Sequence, residues 1–328
     1  MHKNSRNALI LWFATAFSIF GFVAGFNVVV DPFGYFGNNT IGYYFSSERQ
    51  FKLGLVSGGD YNAIVLGDSR IAFVDTSHIR RSDYQFVNGG IGGASVKEQL
   101  ALLSAARLDR LKLVVFGLTF GDLQSCDDNG PTTNEAGASA PSEYGPWNVL
   151  RFTVSLTQLA YSIEALMDRA EGQSPRYHAD GTRSIADKAI ADARLDAKTE
   201  RYWEKINRDI SQSQGVPHYQ LGERCRTLLE KARALSDHYG FELLVVFLPI
   251  NSDLLKHLAL HTKEARQEIN DFLAEVRQVI PHVVDLSQSQ FSDSRNFWLD
   301  DSMHFKPMTG ALVVREAIDR SVGAQAKR

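Results

Sequence analysis

Hydrophobic residues are arranged along this chain in three different ways, and each arrangement predicts a different kind of element. Residues 8–30 read ALILWFATAFSIFGFVAGFNVVV without a single charge. An apolar run of that length matches a helix crossing a hydrocarbon core of about 30 Å. A helix buried in a globular core would normally carry a polar stripe, and this one has none. Five short runs rich in β-branched residues follow, at 62–66 (NAIVL), 84–87 (YQFV), 113–118 (LVVFGL), 243–248 (LLVVFL) and 282–286 (HVVDL). They predict strands buried in a sheet. Between them, helical patterns cover 95–109, 219–239 and 262–279, and Pro307 opens a last helix running to about 321.

Alternating strand and helix predict a three-layer α/β/α domain built on a five-stranded parallel sheet of flavodoxin-like type. The rhythm breaks once, over about 122–220, where a stretch rich in Gly, Pro, Ser and Thr (127–143) leads into helical sequence at 149–170 and 185–208. A structureless loop of that length is uncommon, so the break predicts a helical insertion lying as a lid or flank over one edge. The expected organisation is an N-terminal anchor over 1–30 and an α/β domain over 31–328 that carries the insertion.

Composition narrows the class. The 328 residues are 44% hydrophobic and 22% charged, which excludes a disordered, collagen-like or disulfide-scaffold chain. Lys+Arg 35 against Asp+Glu 38 gives no electrostatic reason for a nucleic-acid partner. Two cysteines, Cys126 and Cys225, exclude a Cys-rich zinc or iron–sulfur site. Lys3 and Arg6 precede the apolar run and Asp31 follows it. The positive-inside bias therefore keeps the short N-terminus in the cytoplasm and exports the rest, so the expected location is the cytoplasmic membrane, with one pass and the bulk of the chain periplasmic or extracytoplasmic. A cleaved signal peptide is the competing reading. The uncleaved anchor is preferred because the run exceeds a usual signal core and lacks a clear A-x-A at its end. In an oxidising compartment the two cysteines are able to pair, although their sequence separation does not decide it.

Chemistry concentrates at the two ends of the domain. Gly67-Asp68-Ser69-Arg70 follows the first strand directly, at the carboxyl edge where open α/β sheets bind ligands. Asp301-Ser302-Met303-His304 falls between the fifth strand and the last helix, in an expected loop at the same edge. A serine hydroxyl is a weak nucleophile until an imidazole takes its proton, and the imidazole needs a carboxylate on its other nitrogen to orient it. Asp300 competes with Asp301 for that last role. Asp68 reads most simply as a turn residue, and Arg70 either pairs with Asp68 or meets an anionic substrate.

With these residues the sequence resembles the SGNH (GDSL-like) hydrolase superfamily. Ser69 matches its nucleophile and Asp301 and His304 match its acid and base, while Asn88-Gly89-Gly90-Ile91-Gly92-Gly93 resembles its second block, N-x-G-x-x-G. The resemblance implies an oxyanion hole made by the Ser69 and Gly90 amides. The third block normally ends in an asparagine, but here the strand continues as Gly117-Leu118-Thr119-Phe120-Gly121-Asp122, and Thr119 is the candidate substitute donor. This version is similar to the membrane-anchored branch associated with O-acetylation of cell-surface polysaccharides and D-alanylation of teichoic acids. It implies serine-dependent acyl-ester chemistry, as O-acyltransferase or esterase, on a cell-envelope glycan or polymer, with no metal or organic cofactor. An integral-membrane acyltransferase is the implied partner. The alternative is a weakly catalytic or non-catalytic partner in an envelope polymer-modification complex.

Three further features have simpler readings. The glycine cluster lacks the spacing and the acidic residue of a dinucleotide site, since Leu118 stands at the end of the following strand. His257 and His261 have zinc-compatible spacing but no Glu between them and no third ligand, so they read as surface or packing residues. Phe33-Gly34-Tyr35-Phe36 and Tyr43-Tyr44-Phe45 read as interfacial anchors beside the membrane.

Overall fold

The computed structural model describes residues 3–37, 39, 41–44, 48–123, 126, 153–212, 219–257 and 263–325. The chain begins with α1 (Lys3–Val30) and α2 (Glu48–Gly58), then enters the sheet through β1 (Ala63–Gly67) and the single helical turn α3 (Ser69–Ala72). After β2 (Phe86–Asn88), α4 (Val96–Ser104) and β3 (Leu113–Leu118), it leaves for the insertion, α5 (Leu156–Ala170), α6 (Ala186–Asp192) and α7 (Glu200–Gln212). It returns through α8 (Glu223–Tyr239), β4 (Glu242–Phe247), α9 (Ser252–His257), α10 (Lys263–Val279) and β5 (His282–Asp285). A hairpin of β6 (Phe297–Trp298) and β7 (Asp301–Phe305) precedes α11 (Pro307–Gln325).

The five-stranded sheet is parallel throughout, in the order β2-β1-β3-β4-β5. Strand order reverses between β1 and β3, and the carboxyl end of such a switch point is where open α/β sheets form their crevice. Successive strand residues alternate between the two faces, so each run feeds two cores. Ile64, Leu66, Val114 and Phe116 pack with Phe51, Leu103 and Phe272 on one side. Ala63, Val65 and Val115 pack with Ile71, Val313 and Ile318 on the other. Burial on both faces is why the strands read as continuous apolar runs rather than alternating ones.

The structure departs from the sequence-based expectations at three places. Asp301 and His304 stand on β7, paired antiparallel with β6, rather than in a loop. Helix α2, not expected from the sequence, packs under the sheet. Phe33, Tyr35 and Tyr43 are buried core residues rather than interfacial anchors, because the chain leaving α1 folds back over α2. Phe33 meets Tyr161 of α5 edge to face at 5.5 Å, and Tyr44 and Phe51 lie 4.6 Å apart. Phe45, the stretch 127–143 and His261 lie outside the described residues.

Residues Arg6–Val30 of α1 are long and apolar enough to cross a membrane, as either a span or a signal sequence would be. Cys126 and Cys225 form a disulfide, with Cα atoms 5.2 Å apart. That bond points to an oxidising, extracytoplasmic location.

Candidate active site

Ser69 is delivered by the tight turn from β1 into α3. Asp68 caps that turn, accepting a hydrogen bond from the Arg70 amide at 2.8 Å. The first amides of a helix have no intrahelical acceptor, so Asp68 satisfies one of them and leaves Ser69 at the first helical position. The far end of the turn is held by Asn88, fully buried at the end of β2. Its Nδ2 donates to the Ile71 and Val74 carbonyls at 2.7 and 2.8 Å. The buried Lys52 ammonium donates in turn to the Asn88 carbonyl and side-chain oxygen at 2.8 and 3.2 Å. Burial pushes the Lys52 amine down to about 8.

His304 reaches Ser69 from β7. Its Nε2 lies 2.8 Å from Ser69 Oγ, and its Nδ1 lies 2.8 Å from Asp301 Oδ2. An ionised carboxylate only accepts, so the Nδ1 proton belongs to the bond with Asp301, and Nε2 is left as an acceptor facing the serine hydroxyl. The ring stands edge-on to Phe73 at 5.4 Å, which fixes its tilt. The carboxylate on the ring is Asp301 and not Asp300. The three expected residues are therefore joined in one line of hydrogen bonds at the carboxyl edge of the sheet.

Two cations from the insertion complete the site, and neither was expected from the sequence. Lys188 of α6 donates to Asp301 Oδ2 at 2.6 Å, and Lys205 of α7 lies 2.8 Å from Oδ1. Burial alone would raise the Asp301 carboxyl. The His304 hydrogen bond and charge, with the two lysines, outweigh burial and hold it well below the usual carboxylate range. Lys188 also lies over the Phe73 and Trp298 rings, and Arg183 also lies over Phe73.

The insertion is fastened to the hairpin that bears the histidine. Asp192 accepts from the Leu299 amide at 2.6 Å, and the Thr199 amide donates to the Leu299 carbonyl at 2.9 Å. Buried Asn251 donates to the Ser302 carbonyl at 3.1 Å and to Tyr202 Oη of α7 at 3.0 Å. Lys205 follows Tyr202 by three residues, so this anchorage sets its position.

Two residues expected to stabilise an oxyanion are otherwise engaged. The Gly90 amide donates to Asn88 Oδ1 at 2.8 Å. Glycine is needed there for closeness instead, since a Cβ would stand 2.4 Å from the Ala72 nitrogen. The Thr119 hydroxyl and amide both donate to Asp122 Oδ2, at 2.8 and 2.7 Å. Burial, and then the Asp68 carboxylate, raise Asp122. In the same glycine loop the Gly89, Ile91 and Gly92 amides donate to Val65 O, Gly67 O and Glu48 Oε2. Among the described residues, no acceptor faces the amides of Ser69 or Gly93. Gly93 has φ 66° and open space where a Cβ would be. Arg70 lies 3.8 Å from Asp68, the internal partner among its two expected ones.

The site as built can activate a serine hydroxyl toward an electrophilic carbon. The fold around it, an α/β domain with a five-stranded parallel sheet, is compatible with the SGNH architecture but shared with many other families. The sequence matches no family model and no curated protein.

Proposed function

We propose that this protein is a membrane-anchored SGNH-type serine enzyme that transfers or removes acyl groups on a cell-envelope glycan or polymer. The observation that carries the reading is the unbroken line Ser69 Oγ, His304 Nε2, His304 Nδ1, Asp301 Oδ2, with 2.8 Å at each hydrogen bond. Ser69 Oγ attacks the acyl carbonyl while its proton passes to His304 Nε2. Collapse of the tetrahedral intermediate releases the donor alcohol, which takes that proton, and leaves an acyl-serine. A sugar hydroxyl or water then repeats the sequence in reverse order, giving a new ester or a free acid. The apolar α1 and the disulfide support a single-pass anchor in the cytoplasmic membrane with the domain on the periplasmic side.

Oxyanion stabilisation falls to the Ser69 amide, since the Gly90 and Thr119 donors are engaged with Asn88 and Asp122. Two ammoniums on Asp301 also offset the charge that would steady an imidazolium. A missing oxyanion donor costs about 10²–10³ in rate, so free hydrolysis is expected to be slow. A bound and oriented acceptor recovers several kcal/mol of barrier through proximity, which favours transfer over hydrolysis. The same sparse oxyanion hole is the observation favouring the second reading, a weakly catalytic partner of an integral-membrane acyltransferase. The deciding experiment measures acetyl release from a chromogenic ester, with and without glycan acceptor, for wild type, Ser69→Ala and His304→Ala. Acceptor-stimulated, Ser69-dependent release supports the enzyme; equal activity in all three, with envelope acylation in cells unchanged, replaces it with the partner protein.

A further inference from the structure

Helix α5 is built inside out. Its buried positions are Gln158, Ser162 and Ala165, whereas Leu156, Ile163 and Met167 are 72%, 45% and 57% exposed. Steps of seven and four residues put those three apolar side chains on one face, opposite the polar and small ones. A helix resting on a water-soluble domain shows the reverse pattern. The inward face is polar because it meets Asn27 of α1, which is fully buried. Asn27 Nδ2 donates to the Thr153 and Ser155 carbonyls at 3.0 and 3.1 Å, and Ser162 Oγ donates to Asn27 Oδ1 at 3.1 Å.

From this we infer that the outer face of α5 lies in the lipid of the membrane that α1 enters, at the boundary between headgroups and acyl chains. The inference rests on reading α1 as a membrane anchor. The apolar stretch Arg6–Val30 has 25 residues, about 37 Å at 1.5 Å per residue, so its last turns emerge from a core of about 30 Å. Asn27 stands in those turns, and Leu156 directly follows the residue whose carbonyl it holds. Phe22 and Val29 of α1, five residues before and two after Asn27, are exposed on the side of α1 turned away from α5, so both helices of the pair present apolar side chains outward. A helix at that depth, apolar outward and polar inward against its own protein, meets a lipid phase rather than water. The domain is then held against the bilayer at two places instead of swinging on α1 alone.

The test places single cysteines at Phe17, Ile163 or Met167 in the full-length protein, with the native disulfide retained, and labels each with an environment-sensitive fluorophore. The protein is reconstituted alone in phosphatidylcholine vesicles and quenched by brominated acyl chains or by aqueous iodide. Labels at Ile163 and Met167 are expected to be quenched by the brominated lipid, as is the one at Phe17, and to be shielded from iodide. Lipid quenching at Phe17 with iodide quenching at Ile163 and Met167 overturns the inference and leaves the anchor standing. Failure of lipid quenching at Phe17 overturns the anchor reading and this inference with it.

Discussion

Replacing Asn88 with alanine is expected to destabilise the domain by about 3–5 kcal/mol and to loosen the turn that presents Ser69. Truncation removes five hydrogen bonds, but they do not count equally; the longest, to the Ala72 carbonyl at 3.4 Å, leaves that carbonyl with the Arg183 amide at 2.8 Å. The Ile71 carbonyl keeps the Val74 amide at 2.8 Å, and the Val74 carbonyl keeps Thr182 Oγ1 at 3.0 Å. Each loss there costs the usual net value of about 0.5–1.5 kcal/mol. Lys52 keeps two of its three acceptors, Asn88 O and Gly181 O. The Gly90 amide is left buried with no partner, worth about 1–3 kcal/mol by itself. Against a typical domain stability of about 5–15 kcal/mol the total is large. Denaturant unfolding of the full chain in detergent measures it, and hydrogen exchange over residues 69–75 reports the turn directly. A midpoint within about 1 kcal/mol of wild type, with unchanged exchange, would refute the role assigned to Asn88.

Three other outcomes are expected. Reducing Cys126–Cys225, which closes a loop with sequence separation 99, removes about 4–5 kcal/mol by chain entropy, and a thermal midpoint unchanged by reductant contradicts this. The Asp301 carboxyl is held well below its unfolded value of about 3.9, so the folded state binds fewer protons there. Its contribution is complete above that pH and is lost as pH falls further, and Asp301→Asn should flatten the acid limb of a stability profile. Lys205→Met removes one of the two ammoniums on Asp301 and is expected to lower stability by about 1.5–3 kcal/mol while speeding acylation of Ser69; slower acylation at unchanged stability refutes the charge argument.

The sheet was legible wherever a strand is buried on both faces. The run 113–118 matches β3 at both ends, and the other four runs differ from their strands by no more than two residues at an end. The β6–β7 hairpin was not legible, since two residues of β6 pair with a polar DSMHF whose burial comes from the insertion lying across it. Nor was α2, where two glycines and a lysine interrupt the apolar pattern. Ser69, Asp301 and His304 could be found because motif and topology agree on one sheet edge. Lys188 and Lys205 carry no such signal: they come from a segment more than 95 residues before Asp301, and only tertiary docking through Tyr202 and Asn251 brings them to it. That Gly90 and Thr119 are engaged within the protein was not legible for a related reason. Backbone spacing identifies a donor, but whether it is free depends on neighbouring side chains, here Asn88 and Asp122.

In the proposed mechanism Ser69 is a nucleophile activated by His304 and Asp301. The most direct measurement is covalent labelling of the purified full-length protein with a fluorophosphonate probe, followed by mass spectrometry of the modified peptide. A single adduct on Ser69 is expected, absent in Ser69→Ala and formed much more slowly in His304→Ala. An adduct on another residue, or equal labelling of all three proteins, would contradict it.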